Sequence, residues 1–150
     1  MARLGNCAVV ATLLAGGAEV DATTDRGWTA LYTAARSGHE AVVAALLARG
    51  AQVNKTTDRQ LTPLHISAQN GHAAVVALLV ARGAEVDKLN GDEMTALYIA
   101  VEAGHDEVVA ALVAGGAHVD REMDGRTPLW LAAAHGHAAV ARALLAGGRG

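Results

Sequence analysis

Residues 62–84 read Thr62-Pro63-Leu64-His65-Ile66-Ser67-Ala68-Gln69-Asn70-Gly71-His72-Ala73-Ala74-Val75-Val76-Ala77-Leu78-Leu79-Val80-Ala81-Arg82-Gly83-Ala84. Thr62 stands where a helix takes an N-cap, with proline at the first helical position. Gly71 and Gly83 follow the two apolar runs, where helices favour a left-handed residue. The stretch therefore predicts two short helices with a turn between them. Neither exceeds about ten residues, so neither is stable alone in water and each must bury a face against a neighbour.

The neighbours are copies of the same phrase. Gly5, Gly38, Gly71, Gly104 and Gly136 mark a period of 33 residues, shortened by one at the last step. Val75-Val76 recurs as Val9-Val10, Val42-Val43 and Val108-Val109, and weakens to Val140-Ala141. Gly83-Ala84 recurs as Gly17-Ala18, Gly50-Ala51 and Gly116-Ala117. The first helix opens with Thr29-Ala30-Leu31-Tyr32, Thr95-Ala96-Leu97-Tyr98 and Thr127-Pro128-Leu129-Trp130 in the other repeats. In repeat one the pattern predicts helices over Ala30–Ser37 and Glu40–Ala48. A fixed period of this length is the mark of a solenoid, in which each unit is stabilised by the next.

The composition agrees with closely stacked helices. The chain has 150 residues, 52% of them hydrophobic, with 35 alanines, no phenylalanine and 3% aromatics. Small side chains bring helix axes close together, whereas a β-sandwich or barrel would lean on aromatic and β-branched residues. A net charge of −3 and a pI near 6.1 give no footprint for nucleic acid. Cys7 stands alone, which excludes an internal disulfide and a multi-cysteine zinc site. The longest apolar run, Ala73 to Ala81, is under half of a membrane span. Arg3 and the run Cys7–Ala15 imitate a secretory signal, but the register assigns them to the second half of a repeat. These features lead us to expect a soluble cytoplasmic monomer that does not insert into membranes.

With these residues in view, the chain resembles the ankyrin repeat family over about 5–148. The resemblance implies an all-α solenoid of helix-turn-helix units joined by β-turn or hairpin fingers, forming a single domain over 1–150. Its parts are an N-terminal half repeat (5–23), repeat one (24–56), repeat two (57–89), repeat three (90–121) and a C-terminal repeat (122–148). Two of the four first helices replace the proline with alanine, which loosens the expected entry. The connection from Ala117 to Thr127 is one residue shorter than its equivalents, so a different finger tip is expected before repeat four.

No set of residues points to catalysis. His39, His72, His105 and His137 recur once per repeat, roughly 10 Å apart if helices pack at ordinary separations. That is too far for two of them to share a metal ion, and their expected role is hydrogen bonding at the start of the second helix. His135 and His137 are the best local pair. Ser67 aligns with Ala34, Ala100 and Ala132, as a small core residue does. The paired glycines lack phosphate-loop spacing. We expect no enzyme, no cofactor and no metal.

The resemblance instead implies a non-enzymatic module that binds a protein partner through its concave first-helix and finger surface. Mapped onto this chain, that surface takes Asp25, Arg26, Trp28 and Arg36 from repeat one, and Asp58, Arg59, Leu61, Gln69 and Asn70 from repeat two. Repeat three gives Asp92, Met94 and Glu102, and repeat four gives Asp124 and Arg126. Trp28, Leu61 and Met94 are expected as an exposed apolar stripe, with Trp28 its hot spot. On that view Trp28→Ala leaves the melting point nearly intact. Tyr32, His65, Tyr98 and Trp130 form a second stripe at the family's histidine position. There a structural role competes with contact, and Tyr32, Tyr98 and Trp130 are included among the contact candidates. An alternative is a rigid spacer, or part of a longer array positioning other domains. The resemblance also marks Asn54, preceded by Val53, as an acceptor for asparaginyl hydroxylation, although Gln52 replaces the usual acidic neighbour.

Overall fold

A computed structural model of the chain describes residues 16, 17 and 19–147. The readings placed on Cys7, Gly5, Val9-Val10 and most of the half repeat lie outside the described residues. The described helices, in order, are α1 (Ala30–Ser37), α2 (Glu40–Ala48), α3 (Pro63–Gln69) and α4 (Ala73–Ala81), followed by α5 (Ala96–Ala103), α6 (Asp106–Ala114), α7 (Pro128–Ala134) and α8 (Ala138–Gly147). The odd-numbered helices pack on one another in sequence to form one layer, and the even-numbered helices form a second layer behind them. No strand occurs among the described residues; one isolated antiparallel bridge joins Met123 and Arg126.

Local chemistry sets these boundaries. Thr29, Thr62, Thr95 and Thr127 each cap a first helix by accepting a hydrogen bond from the backbone N–H three residues on. The helices start at the same register whether alanine or proline follows, so the threonine decides the entry. Gly38, Gly71, Gly104 and Gly136 take left-handed backbone with φ between 72° and 80°, a conformation that closes the first helix at little steric cost because glycine has no Cβ. Between the layers lie Leu31, Leu64 and Leu97 from the first helices, and Val43, Val76, Val109 and Leu112 from the second. Ser67 sits in this core and returns its hydroxyl to the Leu64 carbonyl at 3.1 Å.

The fingers differ as their lengths require. In the first three, the N–H of Thr24, Thr57 or Asn90 donates to the carbonyl of Trp28, Leu61 or Met94, closing a three-residue tip. The last tip residue has positive φ in all three: Gly27, Gln60 and Glu93. Before repeat four the loop is two residues, Asp124-Gly125, both at positive φ between the bonded pair Met123 and Arg126. That is the arrangement of a tight type I′ hairpin.

Repeat one is pinned to repeat two, and repeat two to repeat three, at two levels. At the finger bases, Asp21, Asn54 and Asp87 accept from the backbone N–H of Gln52, Glu85 and His118 at 2.9–3.0 Å. Asn54 also donates to the Gly83 carbonyl, so both ends of its amide are engaged. At the helix turns, His72 Nε2 reaches the Arg36 carbonyl at 3.0 Å and His105 Nε2 reaches the Gln69 carbonyl at 3.1 Å. This corrects the expected histidine role. His39, His72 and His105 occupy the N-cap position of their helices without any side-chain cap bond, and the bonds of His72 and His105 run back to the preceding repeat.

Candidate functional site

The fingers of repeats two and three stand beside the ends of α3 and α5 and enclose a groove of about 700 Å³. Its floor is apolar: Leu61 and Met94 are half-buried at the two finger bases, and Ile99 is buried on α5. The finger wall carries Asp58, Arg59, Gln60, Asn90, Gly91 and Asp92, and the helix wall carries Gln69, Glu102 and Ala103. Gly91 is held against the neighbouring finger by donating its N–H to the Arg59 carbonyl at 3.2 Å. A Cβ there would come within 2.8 Å of that oxygen, so no larger residue fits without opening the joint. Asn90 braces the wall, its side-chain oxygen accepting from the N–H groups of Asp92 and Met94.

Seven of the residues singled out from the sequence therefore meet in one place: Asp58, Arg59, Leu61, Gln69, Asp92, Met94 and Glu102. Sequence reasoning missed Gln60, Asn90 and Ile99. Asn90 replaces the threonine found at equivalent finger positions in repeats one and two, and that departure was a readable signal.

The remaining candidates divide. Asp25, Arg26 and Asp124 are exposed on the outer fingers. Asn70 is exposed but committed to structure, donating its side-chain amide to the Arg36 carbonyl at 2.9 Å. Tyr32 is corrected outright. It is 3% exposed, in the core, with its ring 5.1 Å from that of Trp28, and it leaves the set of accessible residues. Burial holds its phenol above the ordinary value, partly offset by the Arg36 and Arg59 guanidinium groups. Trp28 is corrected in part, being half-buried and packed on the core rather than standing free, with Arg36 5.3 Å from its ring. Leu61 and Met94 are likewise half-buried, so the expected stripe is the floor of a groove.

The second stripe splits position by position. His65 is fully structural: its Nδ1 accepts from the Thr62 N–H at 3.1 Å, and its Nε2 meets the Lys88 carbonyl at 2.8 Å. Only the neutral ring can accept at Nδ1 and donate at Nε2, and burial accordingly lowers its pKa. Tyr98 is half-buried, its phenol pushed up by burial and then by the Glu102 carboxylate. Trp130 is 49% exposed, with the Arg126 guanidinium 4.8 Å from its ring, a cation–π pair on open surface.

Among the described residues no group of three His, Cys, Asp or Glu side chains is placed to hold a metal ion. The His135 and His137 rings stack at 5.6 Å. No helix among the described residues is long and apolar enough to cross a membrane.

The capped helix pairs, the left-handed glycines and the finger-to-finger joints recur together, and a family model for ankyrin repeats, in three copies, matches residues 1–90 and 82–149. The chain belongs to the ankyrin repeat family. Ankyrin repeats are in general protein–protein interaction modules and typically non-enzymatic. None of the curated proteins matches the chain.

Proposed function

We propose that this ankyrin repeat domain, acting as one unit over 1–150, is a non-enzymatic recognition module that binds a protein partner on its concave face, centred on the groove of repeats two and three. The groove carries this reading: an apolar floor, a polar rim and walls on two sides match the anatomy of a protein interface. The composition, with its lone cysteine, fits a cytoplasmic setting, and the partner would engage a monomer.

Two tryptophan insertions test it. Ala103→Trp fills the groove from an exposed site on α5, whereas Ala110→Trp places the same bulk on an exposed site of α6 outside the groove lining. Proximity labelling in the source cell should show partners lost from the first variant and kept by the second. Identical labelling by wild type and both variants would sink the proposal.

A second reading, the rigid spacer, draws on one observation. Leu129 of α7 is 37% exposed, although the equivalent first-helix leucines Leu31, Leu64 and Leu97 are buried, and Leu145 of α8 is 54% exposed beside it. Further repeats adjoining this sequence in its parent transcript would favour it.

A further inference from the structure

The groove has a chemical bias that goes beyond its shape. Asp58, Asp92 and Glu102 line it against a single guanidinium, Arg59. Among the described residues the only ion pair is His118 with Asp87, 3.8 Å apart and outside this lining, so the three groove carboxylates have no cationic partner there. Among the described residues none of the three accepts a hydrogen bond through its side chain. Two nearby cations are engaged outside the lining. Arg36 lies over Trp28 and Arg126 over Trp130, which leaves Arg59 as the one cation of the lining. The charges are thus unevenly spread: two guanidinium groups rest on tryptophans at the flanks, and in the middle three carboxylates outnumber the single Arg59.

We infer that the groove of repeats two and three docks a basic segment of the partner protein, with one apolar side chain seated on Leu61, Met94 and Ile99 and flanking lysines or arginines meeting Asp58, Asp92 and Glu102. The inference rests on the recognition reading above and names the chemistry of its partner. The volume of about 700 Å³ lies within the range of sites for drug-sized ligands, which leaves room for one side chain and the backbone beside it. Gln69, exposed at the end of α3 with no side-chain bond among the described residues, adds an amide that can meet the backbone of such a segment. Charge complementarity of this kind steers the encounter and rejects acidic competitors. The same carboxylates repel a phosphate backbone, which removes nucleic acid as the occupant.

Selection of a random-peptide display library on the full chain provides the test, with Asp92→Asn/Glu102→Gln as the comparison protein. Both substitutions lie at exposed positions, and an unchanged melting curve checks that the fold is kept. The selected peptides should place Lys or Arg on both sides of an aliphatic or aromatic residue. Their affinity should fall about tenfold in the double variant, with a smaller difference at high salt. Neutral or acidic selected peptides, equal binding by the double variant, or no selected binder would each overturn the inference. The recognition reading falls separately, only if Ala103→Trp also leaves partner labelling unchanged.

Discussion

At the scale of single residues, the chain fills one position in four ways. The site after the capping threonine, proline or alanine and leucine holds a buried tyrosine, a doubly bonded histidine, a half-buried tyrosine and an exposed tryptophan in successive repeats. His65 makes the strongest demand of these, because its bonds need the neutral ring. Its pKa in the fold lies below the ordinary 6.5, so the unfolded chain binds the proton more readily. The stabilisation from His65 is complete above about pH 6.5 and is lost as the pH falls below that value. Calorimetry from pH 7 to pH 5 should therefore show a steeper fall in Tm for the wild type than for His65→Tyr, a residue this chain uses at the same position in repeats one and three. Equal acid slopes would remove His65 as the source. Trp28 gives a second outcome at this scale. Packed on Tyr32 and the core, it should cost about 2 kcal/mol on truncation to alanine, seen as a lower Tm. A flat Tm would restore it to the free surface that its sequence suggested.

Elements of this fold owe their stability to position in the stack more than to their own sequence. Leu97 and Leu129 occupy the same site of α5 and α7, yet the first is 1% exposed and the second 37%. The difference arises because α7 packs on α5 while no described helix packs on the far side of α7. Leu97→Ala should cost about 3 kcal/mol by creating a cavity, and Leu129→Ala about 1 kcal/mol or less. Urea unfolding of the two variants checks this, and comparable losses would contradict the stacking argument. Helix limits were legible in the sequence because they depend on local signals: the threonine caps and left-handed glycines fall where the pattern placed them, and α1 and α2 have the expected bounds. The shortened fourth finger was legible for the same reason, since removing one residue from a three-residue tip leaves room only for a two-residue turn.

On the scale of the whole molecule, the information missing from the sequence was directional. Periodicity shows that histidines recur, but not that His72 and His105 reach backward to the repeat before them, because the acceptor is a carbonyl and carries no side-chain signature. It placed Asn70 on the surface and could not show that its amide is spent on the Arg36 carbonyl. Tyr32 was misjudged because its burial depends on how the Trp28 ring folds onto it and how α3 packs on α1, and the spacing of residues reports neither. The groove was half legible: seven of its residues were named, but their convergence between repeats two and three depends on how two fingers meet.

The joint between Gly38 and the His72 ring recurs as Gly71 with His105 and Gly104 with His137, and in each a Cβ on the glycine would fall within 3 Å of the ring. Both halves of the joint are supplied in every unit, the glycine for the neighbour after it and the histidine for the neighbour before. Excising residues 39–71 in frame would set Gly38 against His105, in the relation it now has with His72. Unequal crossing-over between copies of this gene can thus lengthen or shorten the array by whole units, and each new junction already has its fitted contact.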